Sequence, residues 1–127
     1  MGTQIKNSTL VFFDSQMDGH SCVETYTRLP VEDEIVFEIQ RKNGLPPINV
    51  HASDAYRYDF ADFASRPKEI RRGDFILIAR PEATFDPALV AIAREECMGI
   101  GMFIKFKGAL NYRNVWEYRS REERGLK

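Results

Sequence analysis

The sequence predicts an α/β (or α+β) fold: a single small domain, a mixed central sheet with helices, ending in a strand-helix-strand unit. Three observations carry this. Ile35 to Lys42 alternates, with Ile35, Phe37 and Ile39 on one side of a strand and Val36, Glu38, Gln40 and Lys42 on the other. Phe75 to Ala79 is apolar without interruption, as in a strand covered on both faces. Asp86-Pro87 then reads as a helix start, followed by Leu89, Val90, Ile92, Ala93 and Cys97 at helical spacing. Gly99 or Gly101 closes that helix and Met102 to Phe106 resumes as a strand, so this part forms a crossover whose expected geometry is parallel.

The remaining elements follow in order. Thr9 to Phe13 is a short strand or the last turn of a helix, and five residues leave both open. Residues 14 to 20 form a turn around Asp18-Gly19. Cys22 to Leu29 is a strand with Cys22, Glu24, Tyr26 and Arg28 on one face, stopped by Pro30. Asn43-Gly44 and Pro46-Pro47 make a turn, and Ile48 to His51 is a short strand or an extended connection. Ser53 is the expected N-cap of a helix to about residue 65. Val115 to Tyr118 is a candidate last strand. The expected domain runs over residues 1–119, with 120–127 a solvated basic tail.

With 127 residues the chain is most simply one domain, and no stretch approaches the ~20 apolar residues of a membrane span. Met1 to Ser8 has no apolar signal region, so the expected location is cytoplasmic. Cys22 and Cys97 are too few for a disulfide framework. Cys97 reads as a core filler, and a metal pair of His20 with Cys22 lacks further ligands. The formal charge of −1 hides an asymmetry: residues 1–38 carry seven acids and two bases, residues 103–127 seven bases and three acids. Net charge gives no support to strong nucleic-acid binding, although an acidic centre beside a basic flank is compatible with it.

The Glu38, Gln40 and Lys42 series is the main chemical candidate, since a carboxylate on a strand within a packed sheet needs a reason. It reads as a catalytic edge or as the solvated face of an edge strand. Arg57, Arg66, Lys68, Arg71 and Arg72 form a loosely basic stretch, either a backbone contact or a solvated surface. His51 is a phosphate contact, a proton carrier or a polar loop residue. Tyr112, Trp116 and Tyr118 stack on bases, line an interface or pack in the core. No dinucleotide fingerprint, P-loop, zincin or EF-hand pattern is present.

The order of elements, with Glu38-Ile39-Gln40 in the place of an E-x-K set, resembles the restriction-endonuclease-like family, also called the PD-(D/E)xK nucleases. In that family an acid on one strand precedes an E-x-K set on the next, followed by helix, strand, helix and strand. The resemblance covers about residues 18 to 106. It departs in having Gln40 at the lysine position, with Lys42 two residues on, and no Pro-Asp ahead of Glu38. It implies metal-dependent phosphodiester hydrolysis on DNA or RNA, in an intact or an inactive form. Glu38 with Glu24 or Asp18 would hold Mg²⁺, Gln40 would orient water and Lys42 would supply positive charge. Arg41 faces the other way, toward an expected ion pair on a packed helix. A homodimer is compatible with this reading. The alternatives are a non-catalytic α/β protein acting through a protein partner or homo-oligomer, and an RNA-binding regulatory domain carried by the basic, aromatic end.

Overall fold

The structure is a computed structural model that describes residues 7–120. Asn7–Asp18 forms helix α1. Val23–Arg28 (β1), Val36–Arg41 (β2) and Ile48–Ser53 (β3) form an antiparallel meander. The chain continues through Arg57–Tyr58 (β4), Phe60–Ala64 (α2), Phe75–Ile78 (β5), Thr84–Phe85 (β6), Ala88–Glu95 (α3), Gly99–Gly101 (β7) and Phe103–Ala109 (α4). The main sheet has the order β1-β2-β3-β5-β7, with β3, β5 and β7 parallel, while β4 and β6 make a separate parallel pair. This is the expected α/β class with a mixed sheet.

Two cores sandwich the sheet. Phe13 and Met17 of α1 and Phe106 and Ala109 of α4 pack over Phe37, Ile39, Val50, Phe75 and Leu77. Phe63 of α2 and Leu89 and Ala93 of α3 pack over Val36, Ile76, Ile78 and Ile100 on the opposite face. The alternation in β2 and the burial of all four residues of β5 are as expected.

Several local expectations are corrected. Thr9–Phe13 belongs to a helix that runs on through the expected turn to Asp18. Phe13 and Met17, one turn apart, meet the sheet there, and Phe13 stacks on Phe37 at 4.4 Å. In β1 the register steps from Val23↔Arg41 to Thr25↔Gln40, so Glu24 is an extra, bulged residue. The bulge reverses the alternation and brings Val23 and Tyr26 to the same, aromatic core. β2 is second from the edge, not an edge strand. Ser53 ends β3, and Asp59 is the helix cap instead: it accepts from the Asp62 N–H while the Asp62 side chain accepts from the Asp59 N–H.

Asp86 performs its expected capping role, accepting the Ala88 N–H at 2.9 Å. The end of α3 is not closed by glycine: Cys97 takes the left-handed conformation (φ 59°) and the Met98 N–H reaches the Ala93 carbonyl. Half-buried Cys97 is therefore a helix terminator, not a core filler. The following strand is Gly99–Gly101, and Met102–Phe106 turns into α4. A methyl group at Gly99 would lie 2.5 Å from the Phe75 ring, so this edge strand is built around residues without side chains. Val115–Glu117 is a 3₁₀ turn, not a strand. Of the expected tail, 121–127 lies outside the described residues. Among the described residues no helix is long and apolar enough to cross a membrane.

Candidate functional site

The carboxylates singled out in the sequence stand apart. Glu38 is half-buried in β2, opposite Thr27 on one side and Asn49 on the other. Gln40 is exposed, and Lys42 lies exposed just past the strand. Glu24 occupies the bulge, three residues of β1 from Thr27, which is about 10 Å of strand. Asp18 ends α1, on the opposite side of the sheet from Glu38, where it and Asp14 accept the Tyr26 hydroxyl at 3.3 and 3.1 Å. Burial first, then Asp14 and Asp18, push the Tyr26 phenol up to about 12. Among the described residues no three His, Cys, Asp or Glu side chains converge as metal ligands.

Arg41 points to the other face, as expected, but has no acid partner among the described residues. It donates to the carbonyls of Pro46, Leu110, Tyr112 and Arg113 at 2.6–3.1 Å. Three of these are at the end of α4, where carbonyls lack helical donors. Burial lowers the Arg41 pKa, and its role is structural. His20 is also fully engaged: Nδ1 accepts the Cys22 N–H and Nε2 meets the Lys107 carbonyl at 2.8 Å. It has no lone pair left for a metal. Trp116 and Tyr118 pack against the aromatic core.

A different constellation forms at the junction of β2, β3 and α2. His51 lies inside β3, not in a loop, directly across from Val36 and only 5% exposed. Its Nε2 is 2.9 Å from Glu34 Oε2, immediately ahead of β2. Ser53 follows on the same face by strand alternation. Among the described residues, His51 Nδ1 and the Tyr58 hydroxyl are buried without a hydrogen-bond partner. Burial raises the Tyr58 phenol pKa, with Asp62, Glu34 and Asp59 adding to it against Arg66. Burial likewise raises Asp62, while the Asp62 N–H lowers the exposed Asp59. Two residues before Ile76, the partner of His51 on β5, Asp74 accepts the N–H groups of Asn49 and Arg71, at 2.8 Å each, yet burial holds its pKa up.

Two clefts flank this junction. One, of 390 Å³, is lined by Glu32, Glu34, Lys68 and Glu69 among others. The other, of 540 Å³, is lined by Arg66, Lys68, Arg71 and Arg72 together with Glu95 and Glu96. Pro67 and Lys68 are common to both, and the bases there come from residues 66–72, not from the basic stretch 103–127. Arg66 is fixed by the Phe63 and Ile70 carbonyls and lies 3.8 Å from Glu96. Lys68, Arg71 and Arg72 are exposed and have no ion pair among the described residues.

Sequence reasoning missed the Glu34–His51 contact, because it joins residues 17 apart across a turn whose register no local pattern reveals. It also passed over two sets of exposed apolar side chains. Tyr56 and Phe60 stand out beside α2, and Val11, Phe12 and Ile104 on α1 and α4. Comparison with protein-family models, curated proteins and solved structures gives no match for this chain.

Proposed function

We propose that this chain binds a nucleic-acid backbone on a restriction-endonuclease-like framework without cutting it through a two-carboxylate metal site. The single observation that carries the reading is the Glu34–His51 pair, whose Glu34 lines the acidic cleft that meets the basic one at Pro67 and Lys68. In the family pattern the E-x-K set lies on the strand that precedes the helix, and the acid on the strand before that. Here the strand preceding α2 in the main sheet is β3, not β2. The same-face series of β3 is Asn49, His51 and Ser53, and the acid touching it from the turn ahead of β2 is Glu34. A histidine and a serine thus stand where the pattern has a carboxylate and a lysine.

That donor set does not fit Mg²⁺, which takes several hard oxygen ligands. One carboxylate faces an imidazole that already occupies one of its oxygens. On this reading no catalytic step runs through a metal, and Glu38, Gln40 and Lys42 form a polar strand face. Binding then rests on Lys68, Arg71 and Arg72, whose charges meet phosphates at the rim of the cleft. Glu95 and Glu96 on its other wall keep the affinity modest and strongly salt-dependent.

Fluorescence anisotropy with labelled DNA and RNA over a salt series tests this. Binding at low salt is expected, and Arg71→Gln with Arg72→Gln should reduce the log–log salt slope by roughly one for each phosphate no longer neutralised. No binding at low salt sinks the reading. Cleavage in Mg²⁺ or Mn²⁺ that Glu38→Ala abolishes would restore the hydrolytic site instead.

A second reading, association with a second copy or a protein partner, is favoured by the α1 and α4 surface. Ile104 is 81% exposed there, and Phe12 makes an edge contact with Phe103 at 4.9 Å. Sedimentation of wild type and Ile104→Glu would reveal a dimer that the charge dissolves.

A further inference from the structure

Resting on that reading, we infer that the Tyr56–Phe60 segment receives unpaired bases, so that the nucleic acid held is a single strand or a frayed end. Tyr56 is 62% exposed and Phe60 48%, with exposed Arg57 between them. An isolated exposed aromatic is unremarkable in a folded protein, but two in five residues, with Arg57 between them and Arg80 against the first, match the composition of a base-stacking platform.

The local structure supports this use. The Tyr56 carbonyl accepts the Thr84 N–H at 2.8 Å, tying the residue to β6. The Arg80 guanidinium lies 4.0 Å from the centre of the Tyr56 ring. Arg80 is itself held by the Asp54 carbonyl and by Glu82 at 3.2 Å. One face of the ring is thus covered by a fixed cation, and the high exposure leaves the other face open. A base stacked there would complete a guanidinium–phenol–base sandwich, with cation–π attraction polarising the same ring. Phe60 opens α2, and its Cα lies within about 14 Å of that of Tyr56, the limit set by four residues of chain. At its other end α2 leads directly into Arg66 and Lys68 of the basic cleft. The rings and the phosphate contacts therefore lie at the two ends of one short helix.

The experiment uses a single-stranded oligonucleotide carrying 2-aminopurine and a blunt duplex of equal length. Wild type, Tyr56→Leu, Phe60→Leu and Arg71→Gln/Arg72→Gln are compared, with circular dichroism to establish folding. The single strand should bind at least tenfold tighter than the duplex and its 2-aminopurine fluorescence should be quenched. Tyr56→Leu should weaken single-strand binding roughly five- to a hundredfold and relieve the quenching, with the salt slope unchanged. Equal affinity for both forms, with the leucine variants binding as wild type and the double arginine variant weakened, overturns the stacking inference alone. Absence of binding to either form removes the backbone reading as well.

Discussion

The two faces of the sheet treat polar groups in opposite ways. On the face covered by α1 and α4, the most deeply buried cation, Arg41, meets four carbonyls and the Tyr26 hydroxyl meets two carboxylates. On the face covered by α2 and α3, His51 and Tyr58 each bury a polar atom with no partner among the described residues. Asp62 and Asp74 are held there against burial that raises their pKa values. Buried polar groups without partners are costly, so a stable fold places few of them. Their concentration on one side teaches where stability is the governing demand and where something else is. The aromatic face is built to hold the fold, and the proposed site lies on the other.

The largest effect that tests this contrast is at Arg41. Arg41→Met removes the donors of four carbonyls at once and should lower stability by about 3 kcal/mol or more. Arg41→Lys should recover little of it, because an ammonium cannot span the carbonyls that the guanidinium fork reaches. Urea denaturation measures both. A loss below about 1 kcal/mol would mean that water serves the end of α4 equally well, and the contrast between the faces would fail.

An intermediate test lies on the other face. His51→Leu removes an orphaned buried nitrogen and adds apolar packing against Val36 and Ile76, while Glu34, 35% exposed, regains water. The gains and losses nearly cancel, so stability should move by no more than about 1 kcal/mol in either direction. A loss near that of Arg41→Met would make the Glu34–His51 pair a structural strut, and the reading of that face as the functional one would have to be given up.

Legibility in the sequence follows the same division. The alternation of β2, the unbroken run of β5 and the Asp86-Pro87 start of α3 are readable because burial on a face and helix capping are local signals. The Glu24 bulge is not, since an inserted residue leaves no mark until its partner strand is known. Met102–Phe106 reads as a strand in isolation, although Phe103, Phe106, Ala109 and Leu110 recur at helical spacing. The strand lies earlier, at Gly99–Gly101, where the demand for glycine beneath Phe75 and Lys105 overrides β propensity. The site is the least legible part. Glu38, Gln40 and Lys42 do share a strand face, but Glu24 and Asp18 join them only in a sequence pattern. Glu34 and His51, unremarkable in sequence, are joined by the β2–β3 register.

The smallest effect concerns pH and returns to the aromatic face. The neutral Tyr26 hydroxyl donates to Asp14 and Asp18, and ionising it would set three negative charges together at the edge of the sheet. Burial first, and then the two aspartates, raise its pKa to about 12 in the folded chain, against about 10 when unfolded. The folded state then holds the proton that the unfolded state has released. The contribution is therefore complete below pH 10 and is lost as pH rises from 10 through 12. Tyr26→Phe has no phenol to titrate, so the stability gap between wild type and variant should narrow across that window. Denaturation curves at a series of alkaline pH values measure the gap, and phenolate absorbance follows the ionisation itself. A gap that stays constant, with Tyr26 ionising near 10, would show that its hydroxyl is hydrated rather than shared by the two aspartates. The aromatic face would then leave a polar group unserved at its edge, just where the contrast with the α2 and α3 face is drawn.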